Sequence, residues 1–518
     1  MQMFRAAVLA ALFFAIGRAA LAQDVTLTSR DGGIELTGTL LGFDGEFYRV
    51  STRYGELTVD GSGVLCDGPG CPSLTDFVAE MRISGSATMG QVLMPALVEA
   101  FALRNGLKAE RIVVDPQHFR YEVADPEEER VIGRFDVHVT NTDEGFADLL
   151  ADDADIVMAL REIRPEELTR AREAGLGDLG DPNRSRVLAL DALVPVVSGN
   201  NPIAAVSLGD LARVLAGTLD NWQDLGGPDA PIVLHLRDDG SGLTQGIGDR
   251  LQRNSRLTLR ADSIRHDSNA ALAEAVGKDP LGIGLASYSE LGTAKPVVLS
   301  GACGFQLRGT RAAIKTEDYP LTAPMFLYLP ARRLPQLARE FLAFTRSPPA
   351  QIVIRRAGFV DQAPEEISLA SQGDRLANAV AVAEGEAGLA DLKRMVAVLS
   401  PMRRLSTSFR FEPGSARLDA QSRSNVQQLA RALEAGEYDG RTLTFVGFSD
   451  GQGPASGNLE IAGKRAVSVR DAVIRTAEAT DLARVAMEID AFGEAMPMAC
   501  DDTVWGRQVN RRVEVWVR

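Results

Sequence analysis

The chain has 518 residues, too many for one hydrophobic core, so three or more folded units are expected. Its 45% hydrophobic and 24% charged content sits at globular averages, which excludes a wholly disordered or multispanning chain. The formal net charge of −15 resides in residues 1–400, since residues 401–518 balance 16 basic against 16 acidic side chains; an acidic body argues against nucleic acid as a partner.

Residues 1–22 read as a secretory signal peptide. Arg5 gives the positive start, Ala6 to Ile16 the short apolar run, and Ala20-Leu21-Ala22 a small-x-small cleavage site. Arg18 breaks the run before it reaches the ~20 apolar residues that a spanning helix needs. Cleavage would leave Gln23 first, which disfavours a lipid anchor, so a soluble periplasmic protein is expected. Export permits disulfides. Cys66 and Cys71 enclose a four-residue Asp-Gly-Pro-Gly loop and are expected to pair, whereas Cys303 and Cys500 either pair or stay free. No His or second Cys pair lies near Cys66 and Cys71, so no metal is expected there.

Residues 23–75 form a small β-rich module. Val25-Thr26-Leu27, Ile34-Glu35-Leu36 and Leu57-Thr58-Val59 alternate apolar and polar, with turns at Asp31-Gly32-Gly33, Asp44-Gly45 and Tyr54-Gly55. Packing or docking is the expected role.

From residue 78 to about 365, strands alternate with helices, as in an α/β domain. Met81-Arg82-Ile83 reads as a strand, Ser84 to Thr88 as a Ser/Gly turn, and Val92 to Leu103 as a helix. Further strands are read at Asp155 to Met158 and Ile232 to Leu236; after the latter, Arg237-Asp238-Asp239-Gly240-Ser241-Gly242 opens a helical run to Leu251. Two such turns present backbone N–H groups at the positive ends of helix dipoles, where oxyanions bind.

The stretches Ile83 to Thr88, Ala154-Asp155-Ile156, Asn221-Trp222 to Gly227, Arg237 to Gly242 and Gly282-Ile283-Gly284 resemble the phosphate-type (PstS-like) periplasmic solute-binding proteins. That resemblance implies a two-lobed type-2 periplasmic-binding-protein fold. It also implies an oxyanion held between Ser86 and Thr88 on one lobe and Arg237, Gly240, Ser241 and Gly242 on the other, with Thr142 as a further hydroxyl donor. The sequence departs from the pattern at Met89, Leu160-Arg161 and Leu243. These departures keep a second reading open, in which the anion is not phosphate or tight binding has been lost.

Residues 366–400 carry Leu376, Val380, Leu389, Leu392, Met395, Val396 and Leu399 at helical spacing and stop at Pro401, which reads as a helical connector acting as a spacer.

Residues 401–518 alternate strand and helix in an α+β pattern. Strands are expected at Leu405 to Phe411, Thr442 to Val446 and Arg512 to Val517, and helices at Gln421 to Leu433 and Leu459 to Thr476. Gly447-Phe448-Ser449-Asp450, then Asn458 with Lys464-Arg465-Ala466, then Asn510-Arg511-Arg512-Val513-Glu514, resemble the motifs of the OmpA-like peptidoglycan-binding domain. The resemblance implies that Asp450 takes the ammonium and Arg465 the carboxylate of the diaminopimelate in the wall peptide. Asn458 would then hold the loop, and Arg512 would neighbour the site.

No nucleophile, base and orienting group can be assembled from the sequence, and the four histidines lack metal-ligand spacing. A non-enzymatic protein without cofactor is therefore expected, located in the periplasm at the cell wall, with the outer membrane as a further location. The expected partners are peptidoglycan, phosphate or a similar oxyanion, and an ABC permease or other envelope protein. The alternative function is that of an envelope structural or sensing adaptor.

Overall fold

A computed structural model describes residues 24–73, 77–383, 385–412, 415–477 and 482–518. The expected signal peptide lies outside the described residues.

The alternating segments near the N-terminus form a five-stranded antiparallel sheet, with Glu35–Phe43 and Asp24–Ser29 at its centre. Its small core is Val25, Leu27, Tyr48 and Val50. Cys66 and Cys71 are disulfide-bonded beside this core. Arg333 ties the sheet to the next domain through Asp44 at 2.8 Å and Glu46 at 2.5 Å.

The middle of the chain builds one large sheet that divides into two lobes. In the first lobe, Ala79–Ser86 runs parallel to both Arg130–Thr140 and Ile156–Ala159. In the second, Val233–Arg237 runs parallel to Ile264–His266 and Gly282–Ser287. Two strands, Ser185–Val197 and Thr322–Tyr328, pair antiparallel with each other and each with one lobe, so they connect the halves. The central parallel strands Ile156–Ala159 and Gly282–Ser287 are buried along their whole length, whereas Arg130–Thr140 alternates buried and half-buried residues.

Asn221 and Trp222 serve this core: Asn221 caps a short 3-10 turn, and the fully buried Trp222 donates from Nε1 to the Leu281 carbonyl at 2.9 Å. The pair is structural. Gly85, at φ 128°, passes so close to Met158 that a Cβ would lie 2.2 Å from its carbonyl oxygen, so the first Ser/Gly turn can carry no side chain there.

The C-terminal sheet has the order Glu366–Ser368, Arg403–Arg410, Arg512–Val517, Thr442–Phe448, Ala486–Gly493. Helices Ala420–Glu434 and Ala455–Thr476 cover one face through Phe409, Phe445, Val469 and Val515. The other face carries Val446, Phe448 and Trp516, and against it pack the helices Gly373–Val382 and Gly385–Leu399 through Ala379, Leu392, Met395 and Leu399. The run from 366 to 400 is therefore not a spacer. Leu392, Met395 and Leu399, with Leu376 and Val396 packed against them, belong to two helices that complete the C-terminal domain, while Val380 and Leu389 stay exposed; Glu366–Ser368 adds an edge strand to the sheet.

The C-terminal domain is locked onto the crossing region of the two-lobed domain. Cys303 is disulfide-bonded to Cys500, the pairing the sequence left open. Asp318, four residues before the second crossing strand, takes Arg404 at 2.7 and 3.1 Å and Arg410 at 3.2 Å, and all three are buried. Arg404 also lies 3.4 Å from Glu514, which pairs with Arg375 at 2.5 Å and Arg512 at 2.7 Å. Burial opposes ionisation of Glu514, but Arg375, Arg404 and Arg512 overcome it and hold the carboxyl down to about 2.

Candidate functional site

Two sites emerge, one between the lobes and one in the C-terminal domain. In the first, the chain leaves strand Ala79–Ser86 at the buried Ser86 and turns through Thr88 into a helical segment. On the other lobe, strand Val233–Arg237 ends at Arg237, and Ser241 begins helix Gly242–Ser255. Ser and Thr at such positions commonly cap their helices. Neither does so here: the side chains of Thr88 and Ser241 make no capping hydrogen bond, and among the described residues the hydroxyls of Ser86 and Ser241 bond to nothing.

Helix N-termini meet in pairs across the cleft. Thr88 Oγ1 accepts from Asn269 Nδ2 at 3.3 Å, and Asn269 is the first residue of helix Asn269–Lys278. A Cβ on Gly242 would lie 2.3 Å from Thr142 Oγ1, so the helix starting at Gly242 abuts the helix Thr142–Leu150. One on Gly240 would touch the Asn141 side chain at 3.3 Å. The N-terminal dipole ends therefore concentrate positive potential where the lobes touch.

Arg237 is nearly enclosed. It donates from Nε to the His266 carbonyl at 3.2 Å, from Nη1 to Asn269 Oδ1 at 2.8 Å, and from Nη2 to Asp238 and to the Asp267 carbonyl. A guanidinium has five N–H donors, so one of them, on Nη1, remains. Arg161 is buried but committed to carboxylates, with Glu167 at 2.6 Å, a short contact to Asp143, and Gln245 at 3.0 Å. It offers no free charge to an anion. Gln245 in turn donates to Asp143 at 2.6 Å and so links the lobes.

The sequence signalled the turns but not Asn269, whose only mark is the Asp-Ser-Asn run before an Ala-rich helix. The four histidines, separate in sequence, stack as His118 with His138 and His235 with His266.

The second site gathers the three C-terminal motifs. Gly447 lets strand Thr442–Phe448 lie against helix Ala455–Thr476, where a Cβ would sit 2.0 Å from the Ala462 carbonyl. Phe448 points into the opposite core, under the Arg512 guanidinium at 4.2 Å, so its place in the motif is one of packing. Asp450 is buried and accepts from Arg511 Nη1 at 2.7 Å. Asn458 donates to Glu494 at 2.7 Å. Asn510 pins the neighbouring loop by accepting from the Met498 and Ala499 amides and donating to Asp501 at 2.8 Å, while Asp501 takes the Gly451 amide at 2.6 Å.

Arg465 is half-buried over the Phe411 ring at 5.3 Å, and its Nη1 is buried without a hydrogen-bond partner. Burial lowers its pKa, as does Arg511, while Asp450 acts in the opposite sense. Arg512 does not neighbour this site. It is fully buried and bound to Glu514 and to the Met496 and Asn510 carbonyls, so Arg511 is the arginine that faces Asp450. Strand parity decides between them, because Arg512, Glu514 and Trp516 share the face covered by the two docked helices.

Two lobes of parallel strands joined by two crossing strands, with helix N-termini converging between them, define a two-lobed solute-binding protein of the type-2 class, here followed by an α+β domain. Residues 78–349, more than half of the chain, match the family model described as a PBP superfamily domain, and the chain belongs to that superfamily. Residues 410–511 match the OmpA family.

Similar proteins include the phosphate-binding protein PstS of Borreliella burgdorferi, 27% identical over 34% of this chain and 65% of that protein. Protein SphX of Synechococcus elongatus is 24% identical over 46% of this chain and 71% of its own length. The match thus spans about two thirds of the length of these relatives. YiaD of Escherichia coli is 30% identical over 20% of this chain and 45% of that protein. Among solved structures, an ABC-type phosphate transport receptor from Vibrio cholerae aligns at 20% identity and TM-score 0.41, covering 54% of this chain and 99% of that one.

Proposed function

We propose that this protein is a periplasmic binding protein that holds phosphate or a related oxyanion between its lobes and is anchored non-covalently to peptidoglycan by its C-terminal domain. The reading treats it as a binder and not an enzyme, in line with relatives named phosphate-binding proteins. The observation that carries the anion reading is the set of donors left free at paired helix N-termini: the hydroxyls of Ser86 and Ser241 and the last N–H of Arg237. An oxyanion satisfies such donors with little net charge on the protein. Thermal-shift and calorimetric titration of the full chain with phosphate, arsenate and sulfate tests it; stabilisation by one of them is expected, and none by any would overturn it.

The wall-binding part rests on Arg465, a half-buried guanidinium near Asp450 whose Nη1 is buried without a hydrogen-bond partner, which is the arrangement a zwitterionic end of diaminopimelate would complete. Co-sedimentation with sacculi is expected for the intact chain and lost in Asp450→Ala and Arg465→Ala; equal pelleting of all three would remove these residues from the site.

A second reading, an envelope adaptor without a tight ligand, is favoured by one observation: four of the five Arg237 donors already bind their own lobe. The first reading calls for an ABC permease or another envelope receptor as partner, the second only for an envelope protein.

A further inference from the structure

Beside the wall site lies a cavity of about 690 Å³, within the usual range of roughly 300–1,000 Å³ for small-ligand sites. Three parts of the chain build it: Phe305 from the two-lobed domain, Ala379 and Leu392 from the docked helices, and Leu459 and Phe492 from the sheet domain. The Cys303–Cys500 disulfide forms part of its wall and fixes these parts together. The surface is mainly apolar, and the charged residues lining it are all acidic: Asp391, Glu494 and Asp501.

Glu494 and Asp501 also belong to the wall site, through Asn458 and through the Gly451 amide next to Asp450. The cavity thus borders that site through Gly451, Glu494 and Asp501. Asp391 is exposed and makes no ion pair among the described residues.

We propose that this cavity is a second subsite for the wall peptide, taking the residue that follows diaminopimelate, and that its acidic rim selects peptides whose terminal carboxylate is bonded as an amide in a cross-link. The proposal rests on the wall-binding reading above. A peptide held at diaminopimelate by Asp450 and Arg465 continues into D-alanine, whose methyl group suits an apolar wall. In an uncross-linked peptide the next group is a free carboxylate, which would enter a cavity rimmed by three carboxylates with no cation on its lining. In a cross-linked peptide that group is a neutral amide, whose N–H can donate to one of them. Like charges brought together in a partly shielded site are unfavourable, so the rim discriminates by repulsion.

The test uses the full chain and two probes: a diaminopimelate-containing tetrapeptide with a free D-alanine carboxylate, and the same peptide as its C-terminal methylamide. The methylamide is expected to bind about fivefold more tightly, a factor ordinary for one unfavourable charge contact. Asp391→Lys on the exposed helix face and Leu459→Arg on the opposite wall should each narrow that preference to below about twofold, mainly by improving the affinity for the free acid. Equal affinities in the unaltered protein, or a preference unchanged in both variants, would overturn the subsite. Asp450→Ala is expected to abolish binding of both peptides. If neither peptide binds the unaltered protein, the wall-binding reading fails with the subsite; if both bind equally and Asp450→Ala removes both, only the subsite fails.

Discussion

Arg511 Nη1 lies 2.7 Å from Asp450 Oδ2, so the carboxylate assigned to a ligand ammonium already has one cation against it. Arg465, the other half of the assigned pair, has a buried N–H with no acceptor. Within the chain the site is therefore better satisfied on its acidic side than on its basic side.

A ligand carboxylate relieves Arg465, and binding should depend on that residue most. Arg465→Ala is expected to weaken sacculus binding by about 10- to 100-fold, the equivalent of one charge-assisted hydrogen bond of roughly 1.5–3 kcal/mol. The same change removes a buried Nη1 that lacks an acceptor, which offsets the loss of packing over Phe411, so the melting temperature should stay nearly level. A large drop in melting temperature would mean that Arg465 is a structural residue.

Arg512 should behave in the opposite way. Its guanidinium is fully buried against Glu514, so Arg512→Ala removes one of the three arginines that hold this carboxylate and should cost roughly 1.5–3 kcal/mol of stability. Denaturant unfolding measures this directly, and wall binding per folded molecule should be unchanged. The Asp318 and Arg404 pair makes the same prediction for docking of the two domains. Asp318→Ala should destabilise by a similar amount, and a double-mutant cycle with Arg404→Ala should show strong coupling, since the two share one network.

How much of this was legible in the sequence follows from what each signal depends on. The Ser/Gly turns after apolar strands and the three C-terminal motifs are local patterns, so both candidate sites were legible in short stretches of sequence. The choice between Arg511 and Arg512 was not legible, because it turns on which face of a strand each residue takes once helices cover both sides of the sheet. The run with Leu392, Met395 and Leu399 showed its helical period, but nothing local says what an apolar stripe packs against. Arg161 read as a departure from the family pattern that kept a second reading open. Its neutralisation depends on Asp143 and Glu167, and Gln245, 84 positions away, completes its shell. Long-range pairing of this kind, like Cys303 with Cys500, is set by the fold and not by spacing.

Gly242 offers a test of lobe closure. A Cβ there would lie 2.3 Å from Thr142 Oγ1, closer than side chains tolerate. Gly242→Ala should hold the lobes apart at the anion site and remove anion-dependent stabilisation, with a loss of about 1–3 kcal/mol in the closed form from overpacking. Thr142→Ala on the same chain removes the clashing oxygen and should restore part of the closure. If Gly242→Ala keeps the full anion response, the lobes do not close at this contact.

The domain junction should also be sensitive to pH through Glu317. This residue is buried beside Asp318 with φ 57° and accepts from Asn425 Nδ2 at 3.3 Å. Burial, reinforced by Asp419 and only partly offset by Arg410, pushes its carboxyl up to about 8. An acid whose folded pKa exceeds its unfolded one binds a proton more firmly when folded, so stability declines as pH rises from about 4.5 to about 8 and is level above that. Glu514 acts in the other direction: held near 2, it contributes stability above about 4.5 that is lost as the pH falls toward 2. Stability is therefore expected to peak near pH 5 and to fall by a few kcal/mol, on the order of 3–5, toward pH 8. Glu317→Gln keeps an acceptor for Asn425 but cannot ionise. The difference between its melting curve and that of the unaltered protein should vanish below pH 5 and grow in favour of the variant up to pH 8, where a constant difference across that range would exclude Glu317 as the titrating group.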